Sequence, residues 1–122
     1  MGKQLGDFSF RASSFTVVQG QAGTVRIEAN FEGQSAGFGL TLGTMTLSRA
    51  GQTCGSWTWC ATNFPEGGES VTGTAQGSVS DLGGNRWRTQ GLLTLSDARE
   101  CLVEGELDLA ARSWKGYLSE RT

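Results

Sequence analysis

CGSWTWCATNF, residues 54–64, decides how the rest of the chain is read. These eleven residues hold two of the four tryptophans and two of the three cysteines. Trp57 and Trp59 stand two apart, so in an extended strand both indoles leave the same face. Two indoles side by side need a large apolar space to fill. The remaining chain reads as strands folded around that space.

The segments on either side alternate apolar and polar residues, the pattern of strands with one buried and one wet face. In 6–18, Phe8 and Phe10 alternate with Asp7, Ser9 and Arg11, and Ser13-Ser14 then interrupts before Phe15, Val17 and Val18. This reads as one long bent strand or two short ones. In 24–32, Val25, Ile27, Ala29 and Phe31 oppose Arg26, Glu28, Asn30 and Glu32. Residues 33–37 read as a turn, and Phe38, Leu40 and Leu42 then share a face. Met45 and Leu47 fall out of phase with them, which predicts a β-bulge near Gly43-Thr44.

After a turn at 48–53 comes the tryptophan strand, with Trp57, Trp59 and Ala61 on one face, and then a loop at 63–68. Val71, Gly73, Ala75, Gly77 and Val79 form the next apolar row, and 81–85 is a hairpin-like turn. Trp87, Thr89, Gly91, Leu93 and Leu95 form another row, followed by Cys101, Val103, Gly105, Leu107 and Leu109, and finally Trp114, Gly116 and Leu118. Residues 96–106 (SDARECLVEGE) could open a helix at Ser96, but Gly105 and the alternation through Leu109 favour a strand.

The reading is therefore all-β: a single antiparallel β-barrel domain over 1–122 of about eight meandering strands, with a β-sandwich as second choice. Glycines recur on the apolar face, and large indoles facing small residues suit a closed, tapered interior. About eight strands give a barrel that side chains fill or that holds one small ligand. The layout resembles calycin-like and allene oxide cyclase-like small barrels in architecture alone, and fold-level likeness implies little about chemistry.

Composition narrows the function classes. The chain has 122 residues, 37% hydrophobic and 18% charged, with a formal net charge of −2. An acidic chain of pI ≈ 5.0 does not suit nucleic-acid backbones, which need clustered Lys and Arg. There is no apolar leader and no run of about 18 apolar residues, so neither a secretory signal nor a membrane span is expected. Cys54 and Cys60 lie about 20 Å apart in a strand, beyond the roughly 7 Å that a disulfide spans. The three cysteines read as reduced, mostly buried thiols of a cytoplasmic protein.

With no histidine, imidazole triads, the usual acid/base group and the commonest zinc ligand are gone. Three cysteines without CxxC spacing do not make a zinc site, so no metal and no cofactor is expected. The run Gly37-Phe38-Gly39-Leu40-Thr41-Leu42-Gly43 misses the dinucleotide fingerprint by one residue and reads as turn and bulge glycines. Glu100, Glu104, Glu106 and Asp108 share a face opposite Arg86 and Arg88, which reads as a solvated outer wall or an oligomer interface.

Candidate ligand-binding residues are Trp57, Trp59, Trp87, Trp114, Phe38 and Phe31, which either fill the core or line a pocket for a small apolar or aromatic ligand. Weak catalytic candidates are Asp7 and Arg11, if their strand turns them inward, and Tyr117 at a cavity rim. Three functions follow: a barrel that binds a small apolar ligand, a cofactor-free cyclase or isomerase, or an assembly subunit with a packed core. An exposed sheet edge would be a hazard that closure or homo-oligomerisation must remove.

Overall fold

The computed structural model describes residues 3–20, 23–49 and 54–121. Residues 50–53 of the turn expected at 48–53, two residues of the loop after the first strand and the Cys54 side chain lie outside the described residues. Eight strands follow one another: β1 (Gln4–Gln19), β2 (Val25–Ser35), β3 (Gly39–Arg49), β4 (Cys54–Phe64), β5 (Val71–Gly83), β6 (Arg86–Leu95), β7 (Glu100–Asp108) and β8 (Ser113–Glu120). Each pairs antiparallel with the next, and β8 returns to β1, closing the barrel. No helix of the described residues is long and apolar enough to cross a membrane.

Period-two alternation positions the core. Phe8, Phe10 and Ala12 from β1, Trp57 and Trp59 from β4, Trp87 and Leu93 from β6, Val103 and Leu107 from β7, and Trp114 and Leu118 from β8 all point inward and are buried. The stretch 96–106 divides into a turn and β7, so the alternation outweighs the capping signal at Ser96. Gly84 and Asn85 close the β5–β6 hairpin with φ of 64° and 65°, the left-handed pair that a two-residue hairpin turn requires.

Three expectations are corrected. Gly33, Gln34 and Ser35 belong to β2, and Asn63 and Phe64 to β4, so both loops begin later than their residue types suggest. The bulge expected near Gly43-Thr44 is absent: β3 keeps one register against β2 and against β4. Thr41, Met45 and Leu47 point inward from it, while Leu40 and Leu42 are 41% and 44% exposed on the outer wall. The reason is Trp59. A Cβ at Gly43 would sit 2.5 Å from the Trp59 ring, so only glycine fits inward at that level, and its phase fixes the phase of β3. Phe38 reaches the core from the β2–β3 turn, where strand parity does not bind it.

The bulges lie elsewhere. One falls at Ser13, between Ala12 and Ser14 of the β1–β2 ladder. It absorbs the interruption seen in the sequence and keeps Phe15 and Val17 on the same side of the sheet as Ala29 and Ile27 of β2. β1 pairs with β8 only over Gln4–Arg11, yet with β2 over Phe8–Gln19. The second half of β1 therefore rises past the end of β8.

Candidate functional site

Trp114 is the hub of the interior. Its ring meets Phe8, Trp59 and Trp57 edge-on at centroid distances of 4.8, 5.0 and 5.4 Å. Phe10 and Phe31 tilt against it at 5.7 and 6.0 Å. Edge-to-face and tilted contacts are what the ring quadrupole favours. Two of the indole N–H donors are anchored as well. Trp114 Nε1 donates to Thr89 Oγ1 at 2.9 Å, both buried. Trp57 Nε1 donates to the carbonyl oxygens of Ser78 and Gln90 at 3.1 and 3.2 Å.

This packing leaves a small cavity of about 30 Å³ towards the end of the barrel that carries the β2–β3 turn. That volume holds about one or two water molecules. Phe8, Phe10, Phe38, Trp59 and Trp114 supply its aromatic wall, with Leu93, Leu95, Val103 and Leu118 beside them. Ser35, Thr41 and Asn63 supply its polar atoms. Thr41 Oγ1 donates to Asn63 Oδ1 at 2.5 Å, and Asn63 Nδ2 donates to the Val71 carbonyl at 3.1 Å. The cavity lining contains no ionisable side chain.

Phe38 stands at the outer end of this cavity. The Arg99 guanidinium lies 5.0 Å above its ring, a cation–π contact. Asp97 steadies that arginine, accepting from Arg99 Nε at 2.9 Å. The same hydrogen bond holds the Asp97 carboxyl below its ordinary range. Nearby, burial pushes the Cys101 thiol up, offset in part by the Arg99 charge. Cys101 is buried as expected of these thiols, whereas Cys60 is exposed on the outer wall, so the cysteines are not uniformly internal.

Of the six residues expected to meet a ligand, the cavity brings together Trp59, Trp114 and Phe38. Trp57, Trp87 and Phe31 are buried around it without lining it. Asp7 and Arg11 alternate with the buried Phe8 and Phe10 and lie exposed on the outer wall. The inward register that an acid/base role required of them is therefore not adopted. Tyr117 is also outside, 41% exposed and opposite Glu104 and Asp7 in the ladders, away from the cavity. Three carboxylates of the row form ion pairs on the same wall: Glu106 with Arg86 and Glu104 with Arg88 across β6 and β7, and Glu100 with Arg121 just after β8. Such exposed pairs stabilise little, about 0–1 kcal/mol each.

The polar lining went unread in the sequence. Thr41 was hidden by the apolar Leu40 and Leu42 beside it, although counting back in twos from Leu47 and Met45 reaches it. Asn63 and Ser35 were hidden by their resemblance to loop residues. Searches against protein-family models, curated proteins and solved structures return no match.

Proposed function

We propose that this barrel is a binding module for one small, flat, mostly apolar molecule, about a single aromatic ring with one polar substituent. Phe38 is the exchangeable plug of its site. The observation that carries this reading is the lining of the cavity: aromatic walls, three neutral polar side chains and no ionisable group. Few well-placed polar groups in an apolar pocket are the usual make-up of a small-molecule site. The ligand's ring takes the place of the Phe38 ring, which sits on a turn and not in a strand. Its polar substituent reaches Thr41 and Asn63. The cyclase or isomerase reading ranks below this one, because proton transfer needs a titratable group at the substrate.

The test is tryptophan emission, since Trp59 and Trp114 both line the site. Phenol is expected to change the emission saturably, with a dissociation constant of roughly 0.1–1 mM. Ala61→Leu fills the cavity from its wall and should abolish the response in a protein that remains folded. Phe38→Ala removes the plug and should tighten binding. Emission that phenol leaves unchanged in all three proteins would overturn the proposal.

A further inference from the structure

The second half of β1 carries an open sheet edge. Pairing with β8 stops at Arg11, and one more bond follows, from the Ala12 N–H to the Arg112 carbonyl at 2.8 Å. Beyond it lie residues 13–19 (SSFTVVQ), of which 14–19 pair with β2 on one side and Ser13 is the bulge. Among the described residues no strand pairs with them on the other. A free edge of seven residues presents backbone donors and acceptors over about 23 Å. Proteins blunt such edges with charge, proline or a covering element. This stretch has no charge and no proline, and its bulge lies at its base. It is rich in β-branched residues, the composition of a strand that accepts a further strand. Val17 is 68% exposed, and Val25 across the hairpin is 45% exposed.

We infer that this edge is an interface for a second copy of the chain, the two β1 strands pairing antiparallel about a two-fold axis at Thr16. The chain itself supplies the argument for that occupant. An isologous contact requires a surface complementary to itself. Pairing about Thr16 uses the whole edge, setting Ser13 opposite the partner's Gln19. Ser14 then faces the partner's Val18. Phe15 faces the partner's Val17, and Val17 faces the partner's Phe15. Aromatic and β-branched residues directly opposite each other stabilise a ladder, and this register makes that pair twice on one face. An uncharged strand meets its own copy without repulsion. The Arg112 guanidinium lies 5.6 Å over the Phe15 ring, so each copy brings one cation beside the edge. The interface is small, so the dimer is weak and concentration-dependent. The inference is independent of the ligand proposed above.

Sedimentation velocity and native mass spectrometry of the full chain, up to about 1 mM, test it. The expected result is a monomer–dimer equilibrium. Thr16 is exposed on the outer wall, so Thr16→Lys should leave the barrel folded, as read by near-ultraviolet circular dichroism. It places two like charges on the axis and should weaken the dimer about tenfold or more. Thr16→Glu should do the same, and an equimolar mixture of the two variants should recover a mixed dimer. A wild-type protein that stays monomeric, or a dimer that neither substitution weakens, would overturn the inference.

Discussion

Trp114→Ala is expected to lower the stability of the barrel by about 4–5 kcal/mol, the upper end of what losing one buried aromatic costs. Two effects add. The side chain is 2% exposed and touches five other rings, on β1, β2 and β4. Its removal opens a void that β-sheet walls cannot collapse to fill. The substitution also strands the buried Thr89 hydroxyl, which accepts from Trp114 Nε1. Leaving such a group without its partner costs about 1–3 kcal/mol. A domain of this size has roughly 5–15 kcal/mol in all, so the variant should be marginal at 25 °C. Urea titration followed by far-ultraviolet circular dichroism reads the effect as a lowered midpoint. Trp114→Phe restores part of the ring contact and none of the hydrogen bond, so it should fall between the two. A midpoint that Trp114→Ala hardly moves would mean that the interior is not organised around this ring.

Gly91→Ala should be nearly as damaging, at about 3 kcal/mol, although it adds a single methyl group. The added Cβ would stand 2.3 Å from the Gln76 carbonyl oxygen and 2.6 Å from the Trp57 ring. Neither neighbour is the free end of a flexible side chain. At Gln76 the obstacle is the backbone, held in the β5–β6 ladder opposite Leu92. Trp57 is pinned by its indole N–H to the Ser78 and Gln90 carbonyls. Gly91 also pairs directly with Gly77, and glycines at such points let a sheet bend enough to close. Gly68→Ala is the control. Its Cβ would meet nothing nearer than Pro65 Cγ at 3.5 Å, an ordinary contact, and its midpoint should be unchanged. Equal midpoints for the two variants would remove close packing as the reason for glycine at position 91.

The barrel was legible because its inward rows are regular. Trp57 and Trp59, Val71 to Val79, Trp87 to Leu95 and Cys101 to Leu109 hold one phase across whole strands, and the strands lie in the barrel as that phase requires. Hydropathy failed where an outward residue was apolar and an inward one polar. Leu40 and Leu42 outside, with Thr41 inside, reverse the usual reading of β3. Thr41 tolerates burial because Asn63, its partner in the β3–β4 ladder, takes its hydrogen bond. That β8 returns to β1 follows from closure of the barrel, but the register of that pairing was not legible, since it joins residues about a hundred positions apart. The open edge at residues 13–19 follows from that register, and so it too was hidden. The cavity depends on how rings pack in three dimensions. The rings leave about 30 Å³ there.

The most direct test of the proposed ligand site is a crystal structure of the protein soaked in 4-iodophenol, with the iodine located by its anomalous signal. An iodine peak is expected inside the barrel beside Trp59 and Leu95, with the phenol hydroxyl near Thr41 and Asn63 and the Phe38 ring displaced towards Arg99. Iodine found only on the outer wall, with Phe38 still seated over the cavity, would contradict it.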